Sequence, residues 1–78
     1  MRKRQVLIVE WEDSASYSNW RNEQETDYIK PLICHSVGWK VKAPKGKLCL
    51  APNRNCLGEC SDRIVILKSA IKSIRRLN

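Results

Sequence analysis

The apolar positions of this chain fall in short runs with the two-residue alternation of β-strands. In residues 5–11 the alternation places Leu7, Val9 and Trp11 on one face, which predicts a first strand with these side chains in the core. Similar short runs, bounded by proline, glycine and asparagine, occupy residues 32–41, 47–51 and 63–67. The pattern therefore predicts a mainly β protein.

The segment between the first two strands, residues 13–31, is polar and too long for a bare hairpin loop. It holds Tyr17, Trp20 and Tyr28 at irregular intervals, and we expect a long aromatic-anchored loop or a short helix there. Because tryptophan is mostly buried in folded proteins, Trp20 is expected to plug one open end of the core. An exposed recognition aromatic is the alternative.

Two glycines have predicted local roles. Gly38 lies inside the second strand, where glycine commonly marks a bulge or a sharp bend. The turn at residues 43–46 has Pro44 at its second position and Gly46 at its fourth, as in type I turns.

The end of the chain, ILKSAIKSIRRLN, admits two interpretations. Apolar residues from Leu67 to Leu77 recur at helical spacing, but a tight turn at 68–70 and a strand at 71–76 would provide a closing strand. A short helix is marginal in isolation, and every preceding element is a short strand, so we favour strand, turn and strand. The predicted fold is then one domain, residues 1–78, forming a small five-stranded Sm-like or Src-homology-like barrel.

Charge is distributed unevenly along the chain. The net charge is +7, with −1 on residues 1–39 and +8 on residues 40–78. A basic half favours an anionic partner, either nucleic acid or an acidic protein surface, because lysine and arginine release counterions from phosphates. A lysine-rich surface that serves only solubility is the alternative. The candidate nucleic-acid contacts are nine basic residues and one aromatic residue that could stack on bases: Lys40, Lys42, Lys45, Lys47, Arg54, Lys68, Lys72, Arg75, Arg76 and Trp39.

Four cysteines occur with the spacing C-x14-C-x6-C-x3-C, which contains no C-x2-C zinc knuckle. A zinc site using Cys49, Cys56 and Cys60 is one interpretation. Free thiols and a Cys56–Cys60 disulfide are the alternatives, and we favour these, with no cofactor. Cys34 and His35 are adjacent, so on a strand they point to opposite faces and cannot form a nucleophile–base pair.

Other function classes are disfavoured by what the sequence does not contain. There is no glycine-rich phosphate loop or metalloprotease motif, so we expect no catalysis. The sequence contains no run of about 18 apolar residues, the length needed to span a membrane. The basic start precedes only a short apolar run and then acidic residues, unlike a secretory signal, so we expect a cytoplasmic protein.

Several motifs resemble known families. Val9-x-Trp11-x-Asp13, then Trp20, CHSVGW, LAP and a final I-x-K-x-x-I-x-x-I-x-x-L resemble a family of small uncharacterised proteins from bacteria and phages, which implies no activity. Residues 66–74 are also similar to the second signature of Sm-like proteins, which implies that Lys68 and Ser69 face RNA. The first Sm signature is not recognisable. We therefore expect a non-enzymatic binding module; the alternative is a phage or mobile-element protein that binds and inhibits a host protein.

Overall fold

Antiparallel pairing organises the chain into a five-stranded sheet and a small separate hairpin. A computed structural model describes residues 4–14, 20–26 and 29–78. This part of the chain contains no α-helix, and hence none that could cross a membrane, which confirms a mainly β protein. Its elements are β1 (Val6–Asp13), β2 (Leu32–Val41), β3 (Lys47–Ala51), β4 (Asn53–Arg54), β5 (Cys60–Ser61), β6 (Ile64–Leu67), a 3₁₀ turn (Lys68–Ala70) and β7 (Ile71–Arg76).

The sheet has the order β6-β3-β2-β1-β7, so β6 and β7 form its two edges. The 3₁₀ turn connects these edge strands along the chain, but within the described residues no backbone pairing joins them. The predicted five-stranded antiparallel sheet is therefore present, while a closed barrel is not. The hairpin β4–β5 is a second, two-stranded sheet.

The C-terminal segment folds as strand, turn and strand, which confirms that interpretation over the helix. Val9 pairs with Ile74 and Trp11 with Ile71, so the apolar residues of β7 share the face of β1 that carries the core. The register shifts between Glu10 and Trp11, which marks a β-bulge or irregularity there. Pairing along β1 stabilises this segment more than an isolated short helix could.

The core lies on the predicted face of β1. Leu7 and Val9 are buried there and pack with Leu48 and Leu50 of β3 and Ile66 of β6. Trp11, Ile64 and Ile71 pack against this cluster and are partly buried. The Trp11 indole N–H donates a hydrogen bond to Ser36 Oγ at 3.0 Å, which satisfies its polar atom at the edge of the core.

Gly38 does not mark a bulge. The β1–β2 register runs through it without interruption, with Leu7 opposite Gly38. Instead, the backbone of Ala51 approaches so closely that a Cβ at position 38 would lie 2.9 Å from the Ala51 carbonyl oxygen. Glycine is needed here because a neighbouring backbone occupies the space of a side chain.

The turn before β3 lies one residue later than predicted. The Lys47 N–H donates to the Pro44 carbonyl at 3.2 Å, so the turn comprises residues 44–47. Gly46 occupies its third position with a φ of +79°. A positive φ at the third position is the requirement of a type II turn rather than type I.

The long segment between β1 and β2 does not place Trp20 in the core. Trp20 is fully exposed, so the core-plug interpretation is wrong. The physical reason is that β1 and β2 remain paired out to Asp13 and Leu32, which carries the segment beyond the core. The described residues 20–26 and 29–31 form turns and loops, with no helix, whereas Tyr17 and Tyr28 lie outside the described residues.

The β4–β5 hairpin is organised by the side chain of Asn55. Its Oδ1 accepts hydrogen bonds from the N–H groups of Leu57 and Glu59, both at 3.0 Å. Its Nδ2 donates to the Glu59 carboxylate at 2.9 Å.

Replacing Asn55 with alanine removes all three bonds, and we expect a loss of about 1 kcal/mol in the free energy of unfolding, measured by urea denaturation. No change would contradict this role; Asn22→Ala, in the separate β1–β2 segment, is the control.

Candidate nucleic-acid interface

Five of the predicted contact residues line a single groove with a volume of about 640 Å³. The groove lies where the end of β2, the following turn and the 3₁₀ turn meet. We call it the lysine groove, and its basic residues are Lys40, Lys42, Lys45, Lys47 and Lys68. Its apolar lining is Val41, Ala43, Pro44, Leu48, Ile71 and Ile74.

Local geometry explains why these lysines converge. The groove combines residues 40–45, 47 and 48 with Lys68 from the 3₁₀ turn and with Ile71 and Ile74 from β7. The Lys68 N–H donates a hydrogen bond to the Gly46 carbonyl at 3.0 Å, which ties the two turns together. Residues more than twenty positions apart in sequence therefore contribute positive charge to one surface.

The charge of the groove lysines is not balanced by acidic side chains of the described residues. Within this part of the chain, no aspartate or glutamate lines the groove. Within the described ranges none of the five lysines forms an ion pair; the ion pairs there involve Arg21, His35 and Lys72 instead. Five ammonium groups around an apolar lining produce a positive potential that attracts polyanions.

Trp39 and Arg54 lie apart from the groove. Lys40 and Trp39 are consecutive on β2 and so project from opposite faces of the strand. The Arg54 guanidinium carbon lies 5.7 Å from the centroid of the Trp39 ring, a cation–π distance. Of the interleaved Trp39-Lys40-Val41-Lys42, the last three residues line the groove, and Trp39 instead contacts Arg54.

The basic residues of β7 do not extend the groove. Lys72 Nζ lies 2.7 Å from Glu12 Oε1, and this hydrogen bond and the Glu12 charge raise the pKa of Lys72, with a smaller contribution from Glu10. Arg75 and Arg76 pair with Ile8 and Leu7 on β1 and are absent from the groove lining. The basic residues of the C-terminal segment are therefore divided between the groove, which Lys68 lines, and β7, which carries Lys72, Arg75 and Arg76.

The four cysteines are free thiols and do not form a cluster. Cys49 is buried in β3, Cys56 is exposed in the hairpin loop, and Cys60 is half-buried in β5. Among the residues that the structure describes, no group of three or more His, Cys, Asp or Glu side chains could hold a metal ion. The structure thus provides no geometry for the zinc alternative, and the Cys56–Cys60 disulfide is not formed.

His35 belongs to a polar contact across the sheet. Its Nε2 lies 3.8 Å from Glu10 Oε1, and the Ser73 hydroxyl donates to Glu10 Oε2 at 3.2 Å. Cys34 is opposite Trp11 and His35 opposite Glu10, so the two side chains occupy opposite faces, as predicted. His35 therefore connects strands and is not paired with a nucleophile.

Sequence reasoning identified the groove lysines but missed its apolar lining. Pro44 is distant in sequence from Ile71 and Ile74, and the non-local pairing of the strands brings them together. The sequence signal for this lining was the alternation of lysines with Val41 and Ala43 in KVKAPKGK.

In comparisons with known proteins, the chain matches no protein-family model, no curated protein and no solved structure.

Proposed function

We propose that this protein is a non-enzymatic binding module whose lysine groove binds nucleic acid. The observation that carries the proposal is the convergence of five lysines, unpaired within the described residues, on a groove lined by no carboxylate. Lysine ammonium groups gain free energy by replacing the condensed counterions of phosphates, so a nucleic-acid backbone suits such a surface.

The apolar lining supports contacts beyond phosphate. Pro44, Ile71 and Ile74 offer apolar surface beside the lysines, against which sugars and base faces can pack. The groove volume of about 640 Å³ is within the range of ligand pockets, about 300–1,000 Å³. A groove of this kind can contact the phosphates of a nucleic acid through its lysines and the sugars and base faces through its apolar residues.

The chemistry of the lining supports binding rather than catalysis. Among the described residues it consists of lysine, valine, alanine, proline, leucine and isoleucine side chains. None of these described lining residues has an imidazole, thiol, carboxylate or hydroxyl group to act as a nucleophile or to shuttle protons near neutral pH. The proposed role is therefore recognition of a polyanion without a chemical step.

We further propose that the five-stranded sheet is an open form of the small Sm-like or Src-homology-like barrel. Two observations support this assignment: β1 lies between β2 and β7 in the sheet, and a lysine-bearing 3₁₀ turn joins the last two strands. Lys68, which the Sm-like resemblance places opposite RNA, lines the groove.

Removing two groove charges tests the proposal. We expect Lys45→Gln with Lys68→Gln to weaken binding of labelled single-stranded and duplex oligonucleotides about tenfold or more, measured by fluorescence anisotropy. Each phosphate contact that is lost reduces the number of counterions released on binding by about one. The negative slope of log affinity against log salt should therefore become shallower by about 1 to 2.

The matched control removes two charges elsewhere, with Lys72→Gln and Arg75→Gln. These residues lie outside the groove, so we expect at most about a threefold change from the loss of general charge attraction. Equal effects of the two double variants would show that binding depends on net charge rather than on the groove. No binding even at low salt would overturn the nucleic-acid role and leave an acidic protein surface as partner.

A further inference from the structure

The protein has an acidic, apolar segment at the opposite end of its long hairpin from the groove. We call this segment, residues 12–33, the arm; it carries five acidic and two basic residues, a net charge of −3. Four large apolar side chains of the arm are exposed: Trp20, Ile29, Leu32 and Ile33. An exposed tryptophan with neighbouring apolar residues and negative charge is typical of a docking element.

Within one molecule the arm and the groove are separate. β2 runs from Leu32, in the arm, to Val41, in the groove, and a ten-residue strand spans about 30 Å. The molecule is correspondingly elongated, 56 × 21 × 20 Å. No arm residue that the structure describes (12–14, 20–26 and 29–33) is part of the groove lining.

We infer that the arm of one copy docks into the lysine groove of a second copy. The two surfaces are complementary in charge, since the arm is acidic and the groove carries five lysines and no carboxylate. Asp13 and Glu23 are exposed and form no ion pair within the described part of the chain, so both are available to groove lysines. The two surfaces are also complementary in polarity, because Trp20 can bury its ring against the apolar lining.

This contact has a defined symmetry consequence. It joins two different surfaces, so the assembly grows head to tail, as a ring if the rotation between copies closes and as an open chain if it does not. Screening of the charges by salt weakens it. A docked arm also covers the groove lysines, so self-association competes with nucleic acid. The contact itself does not depend on the proposed nucleic-acid role.

Sedimentation velocity over a range of protein concentrations tests this inference. The native protein is expected to associate in a concentration-dependent manner at about 50 mM salt and to dissociate at about 500 mM. Reversing the arm charges with Asp13→Lys and Glu23→Lys, reversing groove charges with Lys45→Glu and Lys68→Glu, or truncating Trp20 to alanine should each weaken association at least about tenfold. Circular dichroism checks that each variant retains its β-structure.

Mixing the two charge-reversed proteins distinguishes local complementarity from overall charge. Their net charges are +11 and +3, compared with +7 for the native chain, so the whole molecules still repel each other. The mixture is nevertheless expected to associate, because the unaltered arm of the groove variant then meets the unaltered groove of the arm variant. A native protein that stays monomeric at low salt, or a mixture that does not associate, would overturn the inference. Oligonucleotide anisotropy of the arm variant reports separately on the nucleic-acid role, because this variant keeps all five groove lysines.

Discussion

Replacing Gly38 with alanine is expected to lower the free energy of unfolding by about 2–3 kcal/mol. An alanine Cβ would lie 2.9, 3.0 and 3.2 Å from the O, C and N atoms of Ala51. These are backbone atoms of β3, which also pairs with β6, so they cannot rotate away as a side chain can. Relief of the clash requires β3 to move away from β2, at the cost of their pairing and of the core between them.

Urea denaturation followed by circular dichroism measures this effect, and Gly58→Ala is its control. Gly58 has a φ of +79°, but no atom lies within 4 Å of its Cβ position, so alanine there meets only backbone strain. We expect about 1 kcal/mol for the control. If both variants lost the same stability, the close approach of β3 at Gly38 would not be the cause.

Replacing Leu50 with alanine is expected to lower the free energy of unfolding by about 2–5 kcal/mol. Leu50 is fully buried and lies in β3 between Lys40 of β2 and Ile64 of β6. Removing its side chain eliminates buried apolar area and leaves a cavity that a five-stranded sheet can fill only in part. Because a 78-residue domain is stable by only a few kcal/mol, a large part of the population should then be unfolded at 37 °C.

The control for this substitution is Leu57→Ala at the tip of the β4–β5 hairpin. Leu57 is 80% exposed, and we expect a change of no more than about 0.5 kcal/mol. Thermal unfolding with the same spectroscopic signal compares the two variants. A small effect of Leu50→Ala would mean that the β3 side chains are less tightly packed than their burial indicates.

The groove and the core share structural elements. Leu48 and Ile71 belong to the groove lining, and both also belong to the core cluster or pack against it. Substitutions that loosen the core should therefore also weaken ligand binding, without touching any lysine. Binding measurements on core variants must accordingly be compared at equal fractions of folded protein.

Local features of the fold were accessible from the sequence. The alternation in β1 identified Leu7 and Val9 as core residues, and the preference for strands over a short helix predicted β7. The β1 inference succeeded because strand alternation depends on neighbouring residues alone. β7, whose apolar spacing also fits a helix, was predicted from the short strands that precede it. The turn before β3 was displaced by one residue, since Pro44 and Gly46 fit two turn types and only the Gly46 backbone conformation distinguishes them.

Features that depend on contacts between distant segments were decided by the tertiary structure. Lys68 meets Lys45 in one groove because of the pairing of β3 with β6 and the Lys68–Gly46 hydrogen bond. Trp20 is exposed because the β1–β2 pairing extends beyond the core. Gly38 is needed because the β3 backbone approaches it closely, and the residues adjacent to Gly38 in sequence give no sign of this contact. Composition and alternation determined which residues are basic and which faces are apolar, whereas non-local strand pairing determined which of those residues form a common surface.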